Sequence, residues 1–431
     1  FIAGRTVTYS TQRLPSGVPL ANTNAIRLSG PGTLEVIAGD DVDLAASSGL
    51  ITRGNLDNPF LPEGGARIVV GAGFPAMTGG VTLPDFRTLV VESRVDAFTR
   101  ALAETDPAER QRLIAARRTT LQSEVDALAP ARRAESARQV FFEELRASGR
   151  EASATRDYSR GYLAVERLFP PKDVAGQALA YGGDINLFFS QIKTEAGGDI
   201  EMFAPGGVIN AGLANTGQFR KDAAQLGVIT IDGGSIRAYS RGDFLVNASR
   251  VFTLGGGDIL IWSSEGNIDA GKGAKTAAST PPPQLKVDRD GKFTLDITQS
   301  IQGSGIGVLL AKEGVVPGDV DLIAPRGEVN AGDAGIRVAG NLNIAALRVV
   351  GADNIRVGGV SVGVPVVQTS SLAAGLTGVS NVASDATKAA EKVMQQTSDD
   401  VGKKATSTAP SFLTVEVIGL GDDEEERRRK R

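Results

Sequence analysis

The sequence predicts a mainly β fold, a parallel β-helix (β-solenoid) of stacked short strands that carries an α-helical insertion. Three observations predict it. The chain holds 53 Gly but only 16 Phe, 5 Tyr and 1 Trp, a composition of many turns and few bulky core residues. A strand–turn–strand motif recurs without gaps. Between residues 87 and 169 the composition shifts to Ala, Arg, Glu and Leu, with no Gly before Gly149, which favours helix. At 431 residues the chain exceeds one compact core, so an elongated repeat array is expected.

The repeat comes first, because self-similarity determines architecture. Residues 199–212 read DIEMFAPGGVINAG, residues 258–271 DILIWSSEGNIDAG, and residues 319–332 DVDLIAPRGEVNAG. A diverged copy at residues 41–54 reads DVDLAASSGLITRG. Within each unit a Gly-Asp turn leads into residues that alternate apolar and variable, so Ile200 and Met202 are expected to point inward. The chain turns at Ala204-Pro205 and enters a second short strand over 208–211. The triplets at 183–185 and 198–200 recur 59 positions later at 242–244 and 257–259. About three coils of ~20 residues each would give that offset. One repeat cannot bury its own apolar face, so stacking must close it.

In the helical segment, Asp106-Pro107-Ala108-Glu109 reads as an N-cap, a proline at the first helical position and an acidic residue near it; Pro130 marks another break. Leu113, Ile114, Arg117, Leu121, Val125 and Leu128 outline one stripe at helical spacing. Two to four helices are expected, packed together and against the solenoid's side or end. With 15 Arg against 13 Asp plus Glu over residues 87–169, their surface reads as mixed charge laced with ion pairs. Residues 369–411 are rich in Ser, Thr, Ala and Lys, with a helical pattern at 384–396. Residues 411–418 read as a late strand, and a charged tail closes the chain. The expected division is therefore solenoid over 1–85, helical insertion over 86–169, main solenoid over 170–368, and linker-like segment, strand and tail over 369–431.

Composition removes much chemistry. With no Cys and no His, thiol nucleophiles, imidazole bases, disulfides and the usual zinc and haem ligands are excluded. The net charge of −4 and pI near 5.3 provide no basic field for nucleic acid. No stretch reaches the roughly 18 apolar residues a membrane helix needs. The start Phe1-Ile2-Ala3-Gly4 has no Met, and the chain is read as a fragment or processed form of something longer.

At Tyr158-Ser159-Arg160-Gly161-Tyr162, Leu168-Phe169-Pro170, the run 187–194, and 197–212, continuing through 332–336 and 341–363, the chain resembles the C-terminal region of filamentous-haemagglutinin-family exoproteins. The likeness spans roughly residues 155–365. It implies a right-handed β-helical shaft from a large secreted, cell-surface protein associated with the bacterial outer membrane. Export would run through a two-partner system with an outer-membrane transporter, and the role would be adhesion or biofilm. The implied partners are a host-cell, glycan or neighbouring-cell surface, with self-association as a further expectation. The family brings no catalytic motif, no cofactor and no metal, so no catalytic, cofactor-binding or metal-ligating residue is expected.

Three local patterns have competing readings. Arg241-Gly242-Asp243 could present a recognition tripeptide, but Gly242-Asp243 sits in the repeated turn register, which already explains it. Asp184, Asp199, Asp243, Asp258 and Asp319 could form a cation ladder, but the spacing lacks the nonapeptide pattern of calcium-binding β-rolls, so turn capping is expected. Residues 266–273 imitate a phosphate loop but place Gly273 where Ser or Thr is required. The rival classes are a self-assembling filament or surface-layer subunit and, behind it, a β-helical polysaccharide-active enzyme.

Overall fold

A computed structural model describes residues 1–9, 24–55, 58, 60–61, 64–77, 80–81, 86–173, 175–213, 225–272, 284–287, 293–296, 303–309 and 314–365. The chain divides into two compact units, Phe1–Val366 and Val367–Arg431. The linker, late strand and charged tail expected over 369–431 lie outside the described residues.

The first unit is a three-faced parallel β-solenoid. Coil 1 comprises β1 (Ile2–Ala3), β2 (Val7–Thr8) and β3 (Ala25–Ser29), and coil 2 comprises β4 (Gly32–Ala38), β5 (Val42–Asp43) and β6 (Gly49–Gly54). Coil 3 starts with β7 (Ala66–Gly71). It then leaves the solenoid through the hairpin β8 (Ala76–Met77) and β9 (Gly80–Val81) and four helices: α1 (Phe86–Ala101), α2 (Pro107–Asp126), α3 (Pro130–Thr155) and α4 (Ser159–Leu168). It returns as β10 (Ile185–Asn186) and β11 (Gln191–Thr194). Coil 4 is β12 (Ile200–Ala204), β13 (Ile209–Asn210) and β14 (Gly227–Thr230); coil 5 is β15 (Ile236–Ser240), β16 (Phe244–Leu245) and β17 (Arg250–Thr253). Coil 6 has β18 (Ile259–Ser263) and β19 (Ile268–Asp269), an antiparallel hairpin of β20 (Gln284–Val287) and β21 (Phe293–Asp296), and β22 (Gly305–Val308). In coil 7 the long β23 (Val320–Asn330) crosses two faces before β24 (Ile336–Val338). Coil 8 repeats this with β25 (Leu342–Val350) and β26 (Ile355–Val357), and β27 (Ser361–Val362) opens the next rung.

Register is strict because every inward position must find its counterpart one rung away. On the first face Ile68, Ile200, Ile236, Ile259, Val320 and Leu342 pair in succession. On the second, Val42, Ile185, Ile209, Phe244 and Ile268 do so. These side chains fill the solenoid interior together with Met202, Ile261 and Leu322, so the inward reading of Ile200 and Met202 holds. Thr52, Thr194, Thr230 and Thr253 stack at the third face's end; the Thr230 and Thr253 hydroxyls donate to the carbonyls of Gly234 (2.8 Å) and Gly257 (2.9 Å).

Two expectations about the repeat need correcting. The 59-residue offset spans two coils, not three: Ile200 pairs Ile236 and Ile236 pairs Ile259, steps of 36 and 23 residues. The longer step has 16 residues between β13 and β14, against four between β16 and β17, an insertion that the spacing of the motif does not reveal. The copy at 41–54 also sits one face further on, since Val42 pairs Ile185 of the second face, not Ile200. The strand–turn–strand motif recurs at successive corners, and sequence alone does not tell one corner from the next.

The helices are largely as the sequence predicts. The Asp106 side chain accepts from the Ala108 amide with Pro107 at the first position, and Pro130 opens α3. Leu121 and Val125 are buried, whereas Leu128, included in the predicted stripe, is exposed past the end of α2.

Candidate functional site

The corners hold the predicted aspartates, and their carboxylates are already in use. Each accepts the backbone N–H of the equivalent residue one coil on. Asp184 accepts from Val208 (2.8 Å), Asp199 from Ser235 (2.8 Å), Asp243 from Asn267 (2.7 Å), Asp258 from Asp319 (2.9 Å) and Asp319 from Asn341 (3.1 Å). They cap the next rung and not their own turn. They do not form the single line expected from the sequence: Asp199, Asp258 and Asp319 stand at the corner before the first face and Asp184 and Asp243 at the corner before the second. At each corner the result is a ladder of side chain-to-amide bonds, the chemistry by which short polar side chains satisfy backbone donors at turns. Among the described residues no group of three or more Asp, Glu, His or Cys is arranged to hold a metal ion.

The corner after the second face explains the terminal Gly of the repeat. Asp269 and Asn330 accept from the amides of Gly271 (2.7 Å) and Gly332 (2.9 Å), and those glycines have φ of 94° and 56°. The same corner in other coils holds Ala45, Phe188 and Asn247 at φ 46°, 48° and 58°. The backbone turn therefore persists where the glycine does not, at a conformational cost.

Arg241-Gly242-Asp243 occupies the corner between the first and second faces. Arg241 reaches outward and pairs with Glu265 (3.1 Å), while Asp243 is committed to Asn267 of the next coil.

The feature that sequence reasoning missed is the outer surface of the first face. Ile37, Gly71, Phe203, Tyr239, Trp262, Ile323 and Ala345 share one outward column. Apart from Gly71, whose site is filled by the Phe74 ring, all are buried beneath the helices. Those outward positions are therefore not free to vary. The signal was legible: residues 202–204, 259–262 and 322–324 carry apolar residues at inward and outward positions alike, as a strand covered on both faces does.

The helical bundle is the cover. Phe141 lies edge-on to Tyr239 (5.4 Å) and tilted against Phe203 (6.0 Å), and Phe169 stacks flat on Tyr239 (5.4 Å between centroids, 8° between planes). Tyr158 and Tyr162 stand edge-on to Trp262 at 6.2 and 5.9 Å, and the Tyr162 hydroxyl donates to the Ser264 carbonyl (2.8 Å). Gly161 permits this approach, since a Cβ there would lie 2.2 Å from the Trp262 ring. The motifs at 158–162 and 168–170 are therefore docking residues.

Beside the apolar column runs a mixed one in which Glu35, Glu201, Arg237, Asp321 and Asn343 are interspersed with the apolar Val69 and Leu260. α3 lies along it at about one turn per coil. Glu135 pairs with Arg67 of coil 3 (2.9 Å) and Arg138 with Glu201 of coil 4 (2.7 Å). Arg146 meets Asp258 of coil 6 (2.9 Å), Arg150 meets Asp321 of coil 7 (3.0 Å), and Ser153 donates to Asn343 of coil 8 (2.6 Å). The 18-residue span from Glu135 to Ser153 is about 27 Å of helix, against about 24 Å for five rung steps. That near-match lets one helix keep step with the ladder.

A polar cleft of about 320 Å³ opens between α3 and this column, with Arg67, Arg146, Arg237, Asp199, Glu201 and Glu143 among its walls. Arg237 is shared between Asp199 (2.7 Å) and Glu201 (3.3 Å). The three arginines face four carboxylates and each is already in an ion pair, Arg67 with Glu135, Arg146 with Asp258 and Arg237 with Asp199 and Glu201, so the cleft reads as a seam of the docked interface.

Fold and site together define a β-solenoid of parallel rungs with a helical bundle strapped along one face. Residues 256–366, which run from the turn before β18 through the last described rungs, match the family model described as filamentous haemagglutinin family outer membrane protein. This agrees with the resemblance drawn from the sequence. No curated protein matches the chain, and no solved structure does. Among the described residues no helix is long and apolar enough to cross a membrane.

Proposed function

We propose that the chain is a non-enzymatic segment of a secreted or cell-surface adhesin, a solenoid shaft used for attachment or as biofilm matrix. The observation that carries the reading is the run of in-register parallel rungs from β4 to β25, whose later coils coincide with the family match at residues 256–366. A stack in which each coil contacts only its neighbours is suited to spanning distance. In this reading residues 1–85 and 170–368 are shaft, residues 86–169 are a strap that covers and stiffens one face, and residues 369–431 follow the shaft. Export through an outer-membrane transporter of a two-partner system, and contact with a host-cell, glycan or neighbouring-cell surface, are parts of the same proposal. The non-enzymatic reading is supported by the corner carboxylates, which are engaged by backbone amides.

The test is negative-stain electron microscopy with sedimentation velocity on the purified chain, alongside attachment of chain-coated beads to epithelial and bacterial cells. Discrete rods of monomer mass and attachment above albumin-coated beads are expected. Regular fibres would replace this reading with self-assembly. Cleavage of a glycan, abolished by an Asp substitution, would replace it with catalysis.

A further inference from the structure

The helical bundle holds a second concave site that the docking does not use. It is a trough of about 340 Å³ walled by α1 and α4, with Glu144 of α3 at one side. Three guanidinium groups line it, those of Arg100, Arg160 and Arg167, against two carboxylates, Asp96 and Glu144. Arg167 is held by Asp96 (2.7 Å), and Arg160 by Glu144 (2.6 Å) and Glu151 (2.5 Å). Each retains N–H donors beyond those bonds, because a guanidinium carries five. Arg100, in the last turn of α1, has no ion pair among the described residues. Ser93 also lines the trough; it is 3% exposed and its hydroxyl has no hydrogen-bond partner.

The ion pairs of Arg160 and Arg167 join the helices, and with Glu151 the carboxylates equal the guanidiniums in number. Fold stability does not explain the other two groups: the Arg100 guanidinium turns to the trough with no carboxylate of its own among the described residues, and a buried hydroxyl without a partner is destabilising. An anion alone would meet repulsion from Asp96 and Glu144. A sugar acid would not, since its carboxylate can take the guanidinium forks while its hydroxyls donate to the two acids. The half-exposed Leu163 and buried Ala164 supply an apolar patch for the ring's C–H face. The volume falls in the range of small-molecule sites, at its lower end.

We propose that the trough between α1 and α4 binds a uronic-acid unit, with Arg100 and Arg167 receiving the carboxylate and Asp96 and Glu144 the hydroxyls. The inference deepens the attachment reading by naming a glycan chemistry. Its failure is separable, because rods and bead attachment are measured without any sugar.

The experiment is calorimetric titration of the full chain with glucuronate, galacturonate, glucose and inorganic phosphate, repeated on Arg100→Gln and Ser93→Ala. Saturable binding of a uronate with Kd on the order of 1 mM, no binding of glucose, and at least a tenfold loss in Arg100→Gln are expected. Arg100 is exposed, so that variant retains the fold, with circular dichroism as the check. Ser93→Ala should weaken binding to a smaller degree. Absence of saturable uronate binding, unchanged affinity in Arg100→Gln, or phosphate binding as tightly as the uronates would each overturn the proposal.

Discussion

The guanidinium of Arg150 meets the carboxylate of Asp321 through two parallel bonds of 3.0 Å, from Nε to Oδ1 and from Nη2 to Oδ2, across 171 residues of sequence. Asp321 is fully buried, and Arg146 also reaches it at 3.3 Å. The contact ties the strap to coil 7. Removing both arginines leaves a buried carboxylate with no cation beside it and only the Asn343 amide as donor (3.3 Å), which costs about 3 kcal/mol or more. In the double variant Arg146→Ala/Arg150→Ala, hydrogen exchange of α3 amides should show an opening free energy lower by about that amount. Unchanged protection of α3 would mean that the pairs do not hold it.

Gly161 is the second lever. In an exposed helix Gly→Ala gains about 1 kcal/mol, but here the added methyl would press on the Trp262 ring. Overpacking of this kind costs roughly 1–3 kcal/mol. Gly161→Val should therefore expose Trp262, the only tryptophan of the chain, with red-shifted emission and faster acrylamide quenching. Gly149→Val should act likewise through Ile323, which a Cβ at residue 149 would meet at 2.3 Å. Blue, unquenched emission in Gly161→Val would contradict the close approach.

The corner ladder predicts local losses without metal dependence. Asp184→Ala deprives the Val208 amide of its acceptor, at about 1–3 kcal/mol, and exchange at that amide should accelerate selectively. Asp243→Asn keeps an acceptor for Asn267 and should be nearly neutral, so it is the variant with which to test recognition of Arg241-Gly242-Asp243. Because these carboxylates serve amides, EDTA should leave the unfolding midpoint unchanged; a lowered midpoint would restore the cation reading.

All five tyrosines, Tyr9, Tyr158, Tyr162, Tyr181 and Tyr239, titrate above the usual phenol range, with burial the largest cause at each. Tyr181 is pushed up to about 12. A pKa raised in the folded state contributes stability that is complete below the unfolded value, about 10, and is lost as pH rises through the folded value. Absorbance of phenolate should thus lag behind that of free tyrosine between pH 10 and about 12, then rise together with loss of β-structure. Phenolate appearing in the folded chain at the free-tyrosine position would place these side chains in solvent.

How far the sequence could be read follows from these contacts. Ile200 and Met202 announced their inward direction because β-strand alternation is local, and Asp106-Pro107 announced α2 because capping is local too. The docking of α3 onto the first face was hidden, since Arg150 and Asp321 or Arg138 and Glu201 are joined only by topology. Phe203, Tyr239 and Trp262 were nevertheless visible as apolar residues on the face expected to meet water. The two-coil length of the 59-residue offset was not legible, because the longer stretch of sequence after β13 is invisible to a gapless comparison. The trough between α1 and α4 was equally hidden, as Arg100 and Arg167 stand 67 positions apart in a segment of mixed charge.

The central claim is that α3 is strapped along the solenoid's first face, one turn to a coil. The chain has no cysteine, so pairs can be introduced on a clean background and challenged with a short bismaleimide. Ser153→Cys/Asn343→Cys, at a contact of 2.6 Å, should cross-link within one chain in high yield. Arg112→Cys/Asn343→Cys, with the first cysteine on the outer helix α2, should not. An absence of cross-linking at 153–343, or equal yields for the two pairs, would contradict the account.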